Sequence, residues 1–203
     1  MFSVGLTGGV GSGKSTIAAM LSARGAGIID ADAISHELTQ AGAAAIEPLR
    51  ARFGAEAIAA DGSLDRARMR ARVFFDQAAR TQLEALLHPM IRAAMRERAA
   101  RLVAAGRPYV AFVVPLLVET GNWRSIVDRV LLVDCSEATQ IARVCTRAGM
   151  SEQTARQIIS VQASRQDRLA VADDVLMNEA PLAEIEDRVE RLHREYARRA
   201  AVK

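Results

Sequence analysis

Lys14 and Ser15 end the run Gly8-Gly9-Val10-Gly11-Ser12-Gly13-Lys14-Ser15, which fits the spacing G-x-x-x-x-G-K-S in full. Glycines at this spacing permit positive φ and let backbone N–H groups turn inward around phosphate oxygens, and a helix beginning at the end of the run adds partial positive charge. Gly11, Ser12, Gly13, Lys14, Ser15 and Thr16 are therefore candidate nucleotide-binding residues. Lys14 is expected to reach the β- and γ-phosphates, and Ser15 to offer its hydroxyl to Mg²⁺. A strand-to-helix turn that binds nothing has no use for Lys and Ser at these two positions. Such a loop identifies the phosphates and not the reaction; the chain lacks the Asn-Lys-x-Asp run of guanine-selecting GTPases, so ATP is the expected nucleotide.

Phosphoryl transfer to an alcohol also needs a carboxylate within reach of the acceptor hydroxyl. Asp30 and Asp32 follow the second apolar run, Gly27 to Asp30, and Asp32 is the favoured base, with Asp30 supporting the loop or the metal shell. The competing job for Asp32 is the N-cap of the helix that begins there. His88, before Pro89, is either an acceptor-side contact or a residue at a helix end whose imidazole satisfies a carbonyl. Arg143 and Arg147 stand four apart on one helix face, able to clamp phosphates or to remain solvated. Glu119 either orients substrate or caps a turn, and Trp123 is read as packing.

The elements that must position these groups follow from the apolar pattern. Phe2 to Thr7, Gly27 to Asp30, Tyr109 to Val114, Val130 to Val133 and Asp174 to Met177 read as strands, the third as one covered on both faces. Between and after them lie helical patterns: Lys14 to Arg24, with Ile17, Met20 and Leu21 on one face, and a closing helix marked by Leu182, Ile185, Val189, Leu192 and Tyr196. Ala43 to Ala105 reads as several helices broken at Gly54, at Asp61-Gly62 and at His88-Pro89. Ser136 to Arg168 is helical, carries Arg143, Arg147, Arg156, Arg165 and Arg168, and is poor in large apolar residues, so it should pack weakly and be able to move. The fold class expected is α/β, a five-stranded parallel sheet flanked by helices, with ligands beyond the C-terminal ends of the strands.

Composition agrees. Half of the 203 residues are apolar and a quarter charged, enough for a full core in one domain. The net charge of +3 is too small to imply nucleic acid. Cys135 and Cys145 form no C-x-x-C pair and are expected as reduced thiols. The first residues show no basic region followed by an apolar core, and no stretch approaches the roughly 20 apolar residues of a membrane span, so a cytoplasmic protein is expected.

Taken in order, Thr7 to Thr16, Asp30-Ala31-Asp32, His88-Pro89, Pro115-Leu116-Leu117-Val118-Glu119 and Ala172-Asp173-Asp174-Val175 resemble the dephospho-CoA kinase family over nearly the whole chain. The resemblance implies a P-loop, nucleotide-kinase-like domain over 1–203, with a core of about 1–40, 106–140 and 170–203, a helical CoA-side subdomain of about 41–105 and a lid of about 141–169. It implies ATP as donor and dephospho-CoA as the small-molecule acceptor at its ribose 3′-hydroxyl. Mg²⁺ is expected from the Ser15 position, and the chain is expected as a monomer or weak homo-oligomer. Asp32, His88, Pro89 and Leu116 then fall on the acceptor side, and Arg143, Arg147 and Asn178 on the ATP side, with Asp32, Lys14 and Arg143 catalytic. One departure is visible: after Asp174-Val175 the family runs to an Asp-Asn pair and a glycine, whereas this chain reads Leu176-Met177-Asn178-Glu179-Ala180.

Overall fold

A computed structural model describes residues 1–115, 117–119 and 126–203, except for the side chains of Arg147 and Ala148. Leu116, Trp123 and the Arg147 side chain thus lie outside the described residues. Two compact units emerge, Met1–Ile29 with Ala99–Lys203, and Asp30–Arg98.

Ser3–Thr7 (β1), Gly27–Asp30 (β2), Val110–Val113 (β3), Arg129–Asp134 (β4) and Asp174–Met177 (β5) form one sheet in the order β2-β3-β1-β4-β5. β1 pairs in parallel with β3 and with β4, and β4 with β5, so the five-stranded parallel sheet read from the sequence is present. Every residue of β1 and β3 is buried, as near-continuous apolar strands in the middle of such a sheet require. The helices are Lys14–Ala23 (α1), Ala31–Leu38 (α2), Ile46–Phe53 (α3), Arg66–Phe75 (α4), Gln77–Ala104 (α5), Glu137–Ala148 (α6), Glu152–Ser160 (α7), Arg165–Val171 (α8) and Leu182–Val202 (α9).

In the first unit Val4, Leu6, Ile17, Leu21, Tyr109, Leu131, Leu176, Val189 and Tyr196 bury together. Side chains of this size contribute about 1.5–3 kcal/mol each when fully buried. Tyr196 also donates its hydroxyl to Asp174 Oδ2 at 2.8 Å, where Arg129 Nε donates as well, so α9 is tied to the edge strand by a polar knot beneath the apolar face. Of the expected α9 face, Ile185, Val189 and Tyr196 are buried and Leu192 is half-buried, but Leu182 is 63% exposed. It is the first residue of the helix, directly after Pro181, and stands beyond the reach of the core. The polar stretch after β4 is organised by three serine caps: Ser136, Ser151 and Ser164 each accept from the backbone N–H three residues on and start α6, α7 and α8. It packs better than its composition suggests, since Ile141, Val144 and Ala155 bury together against Val10.

The second unit has its own core of Ala45, Ile46, Leu49, Phe53, Met69, Ala79 and Leu87. Gly54 ends α3 at φ 91°, and Asp61 closes the Asp61-Gly62 turn by accepting from Ser63 N at 2.9 Å, so two of the three expected breaks are present. The third is not: α5 runs through His88-Pro89 without ending. A proline inside a helix costs about 3 kcal/mol or more through the lost hydrogen bond and the ring clash. Leu83, Leu86, Leu87, Met90 and Ile91 pack into the core on both sides of it, a burial that exceeds this cost, and the carbonyl left without a donor belongs to exposed Ala85, where water can serve it. Among the described residues no helix is long and apolar enough to cross a membrane, and both cysteines are free.

Candidate active site

The glycine run leaves β1 at Thr7 and enters α1 at Lys14. Two of its glycines admit no other residue. A Cβ on Gly8 would stand 2.3 Å from the Val133 carbonyl oxygen, a backbone atom that cannot withdraw, and Gly13 sits at φ 94° with a Cβ position 2.2 Å from Asn178 Nδ2. Lys14 Nζ lies folded over the loop and donates to the carbonyls of Gly8 at 2.6 Å and Gly9 at 3.0 Å.

Arg143, on α6, and Asn178, just past β5, meet at this loop. Arg143 Nη1 donates to the carbonyls of Gly11 and Ser12 at 3.4 Å each, and its Nη2 to the carbonyl of Asn178 at 2.8 Å. Asn178 Nδ2 donates to the Ser12 carbonyl at 2.7 Å, while its own N–H donates to Asp134 O at 2.8 Å. In the segment that departs from the resembled family, Glu179 keeps an ordinary negative φ. Its carboxylate accepts from Ser136 Oγ at 2.6 Å, from Thr139 Oγ1 and from Ser136 N at 3.0 Å, which holds its pKa down at about 2. Glu179 thus braces the start of the helix that carries Arg143.

Beside the loop opens a cavity of about 760 Å³, within the usual range for small-molecule sites. Its lining combines Gly11, Gly13, Lys14, Ser15 and Thr16 of the loop and α1 with the apolar Val144, Met150, Ile158 and Leu182, and with Arg143 and Asn178. Glycine N–H groups together with apolar side chains suit a phosphate chain joined to an aromatic base, and the exposure of Leu182 is explained by its place in this lining. The Ser15 residue at the cavity brings a hydroxyl, a hard oxygen ligand that fits Mg²⁺. An ion held this way draws most of its ligands from phosphates and water.

In the second unit the competing job for Asp32 is taken by its neighbour. Asp30 is the N-cap of α2, its Oδ1 accepting from Asp32 N at 2.8 Å and Ala33 N at 3.2 Å. Asp32 stands exposed in the first turn. His88 is half-buried in mid-helix, which removes its alternative reading as a helix-end residue.

The other arginines of the polar stretch separate cleanly. Arg156 pairs on the surface with Glu152 and Glu137. Arg165 grips Asp134, only 2% exposed at the end of β4, with Nη2 2.7 Å from Oδ2. Arg168 is buried. Sequence reasoning also passed over Gln162, whose Oε1 accepts from Val10 N at 3.0 Å, and Gln140, packed against Gly9. A polar residue in a polar helical stretch reads as solvated, so the serine caps, which fix where these helices begin, were the one available signal. Glu119 proves to be a brace, accepting from Ala163 N at 2.8 Å.

Comparison with known proteins was made against this geometry. A family model described as dephospho-CoA kinase (CoaE) matches residues 2–184. The dephospho-CoA kinase of Thiobacillus denitrificans is 51% identical over 201 residues, 99% of this chain and 98% of that one. Among solved structures, TT1252 from Thermus thermophilus superimposes with a TM-score of 0.83 at 31% identity, covering 96% of this chain and 97% of that one. Dephospho-CoA kinase from Campylobacter jejuni shares the fold with a TM-score of 0.70 at 22% identity, over 97% of both chains.

Proposed function

The chain belongs to the dephospho-CoA kinase family, an ATP-dependent kinase by that membership, and from this premise we propose how its residues divide the transfer of a γ-phosphoryl group to the ribose 3′-hydroxyl of dephospho-CoA, giving CoA and ADP. The observation that carries the proposal is the loop itself, with its glycine N–H groups, Lys14 and the adjoining cavity of about 760 Å³.

The backbone N–H groups of the loop and the N-terminus of α1 take up the phosphates. Lys14 exchanges the carbonyls of Gly8 and Gly9 for phosphate oxygens, which bear full charge and form the stronger bond. Arg143 stabilises charge on the transferring group from the opposite wall, and Asn178 keeps the Ser12 end of the loop fixed beside the base. Arg147, on the same helix, belongs to the same ATP side. Mg²⁺, when bound at the Ser15 hydroxyl, neutralises charge on the phosphates. Asp32 accepts the proton of the acceptor hydroxyl as the new P–O bond forms, while Asp30 caps the helix. His88 and Pro89, with Leu116, serve the acceptor side. The helices of about 141–169 act as a lid that excludes water as a competing acceptor.

The reading extends to a cytoplasmic enzyme, a monomer or weak homo-oligomer, that needs no nucleic acid; the net charge of +3 supports the last point. Incubating the purified protein with ATP, Mg²⁺ and dephospho-CoA should yield CoA and ADP in equal amounts and fall silent on removal of the metal. Hydrolysis of ATP without formation of CoA would end the proposal.

A further inference from the structure

The loop is backed by a second set of polar side chains that the assignments above leave unused. Val10 N–H donates to Gln162 Oε1 at 3.0 Å, and Gln162 stands in the turn between α7 and α8. The next residue, Ala163, is held twice: its N–H donates to Glu119 Oε1 at 2.8 Å, and its carbonyl accepts from Arg168 Nη1 at 2.6 Å. Arg168 is 5% exposed, with Nη2 3.1 Å from the point where a Cβ on Gly9 would stand. Gln140 crowds the same point with Nε2 at 2.8 Å. Among the described residues, Arg168 Nε and Gln140 Oε1 are buried without a hydrogen-bond partner, and no carboxylate pairs with Arg168.

A buried donor left unmatched costs about 1–3 kcal/mol, and a buried unpaired cation more. That cost has a use if an anion arrives nearby. The place where it would arrive is defined by Lys14, the residue suited to the β- and γ-phosphates, whose Nζ rests on Gly8 and Gly9. Gly9 and Val10 therefore form the γ-phosphate end, and they are the two loop residues that the α7–α8 turn and Arg168 hold.

We propose that Gln162 and Arg168 are positioning residues, a clamp from the α7–α8 segment that keeps Gly9 and Val10 in the shape that receives a γ-phosphate and so separates ATP from ADP. The proposal rests on the reading of the loop as the ATP site. The clamp acts through the backbone of Gly9 and Val10, and Arg168 adds positive potential behind Gly9, which a triphosphate feels more strongly than a diphosphate because its extra charge lies at that end.

The test compares Gln162→Met, which keeps the length of the side chain and removes the acceptor, with Gln162→Glu, which keeps an acceptor oxygen. ATP and ADP affinities are measured by titration calorimetry on the full chain, together with kcat and KM at saturating dephospho-CoA. Loss of one hydrogen bond should weaken ATP binding and lower kcat about tenfold for Gln162→Met, with ADP affinity changed less than about twofold and most of the loss recovered in Gln162→Glu. Arg168→Lys should retain the preference for ATP that Arg168→Met loses. Equal weakening of both nucleotides, or no change in either, in Gln162→Met overturns the clamp, and an unaltered ATP preference in Arg168→Met removes Arg168 from it. A wild-type protein that makes CoA while these variants show no split sinks the clamp alone; one that makes no CoA sinks the underlying reading.

Discussion

The glycine loop of the first unit and the carboxylates of the second place their working groups by opposite means. In the loop the proposed binding groups are main-chain N–H donors, and the backbone shape follows from contacts no rotamer can relax, Gly8 against the carbonyl of Val133 and Gly11 against the carbonyl of Gln140, with the Ser12 carbonyl held besides by the side chains of Arg143 and Asn178. Asp32 is an exposed side chain on the first turn of a short helix whose start is fixed by a single cap, Asp30. A backbone cradle is hard to disturb and common to many reactions, because all it recognises is phosphate. A carboxylate side chain is easily altered, and in the proposed reaction it acts on the acceptor and not on the nucleotide. Affinity and chemistry should therefore separate when the two regions are changed one at a time.

The sharpest separation is expected from Asp32→Asn. Loss of a general base lowers kcat by about 10²–10⁴-fold, and since the loop is untouched, ATP affinity should stay within about twofold of wild type. Steady-state kinetics with nucleotide titration measures both, and a parallel fall in ATP affinity would mean the two regions are not separable. Gly8→Ala attacks from the other side: overpacking against a backbone atom costs about 1–3 kcal/mol and deforms the cradle, so thermal stability and ATP affinity should fall together. If the variant binds ATP normally, the loop is less rigid than its contacts imply. Arg143→Met should act more gently, raising KM for ATP and lowering kcat about tenfold each, because Arg143 holds the Asn178 carbonyl and, on the proposed reading, stabilises the transferring charge. An unchanged kcat with a raised KM would confine Arg143 to binding.

The same contrast governs how much the sequence disclosed. The loop and the strands around it were legible because the backbone itself is specified there: glycines where φ or close approach demands them, and apolar runs where a strand is covered on both faces. β2 and β5 fall at the residues read from the pattern, and β1, β3 and β4 within one or two. What failed was decided by packing across the chain. Pro89 reads as a break by local rules, yet the apolar residues on both sides of it hold α5 together. Leu182 carries the spacing of a core residue and instead lines a cavity wall. Gln162, Gln140 and Arg168 leave no trace in composition, since their meaning depends on which loop the next helix folds against. Asp30 and Asp32 were legible as a pair, but which of them caps α2 is settled by the fold.

The smallest effect concerns the segment Leu176-Met177-Asn178-Glu179-Ala180, where this chain departs from the family it resembles. Glu179 binds the start of α6 through Ser136 Oγ, Thr139 Oγ1 and Ser136 N. Those bonds, from the two hydroxyls and then the backbone N–H, lower its pKa from 4.5 to about 2. A carboxylate whose pKa is depressed on folding contributes stability that is present in full above its unfolded value and drains away as the pH falls through the folded one. Replacing it by Gln keeps an acceptor and removes the charge, so the difference in melting temperature between wild type and Glu179→Gln should be constant from neutral pH down to about 5, shrink between about 4.5 and 2, and vanish below. Because the group is exposed, added salt should reduce the difference at neutral pH. A difference that persists unchanged at pH 2 would mean that Glu179 braces α6 by shape and not by charge.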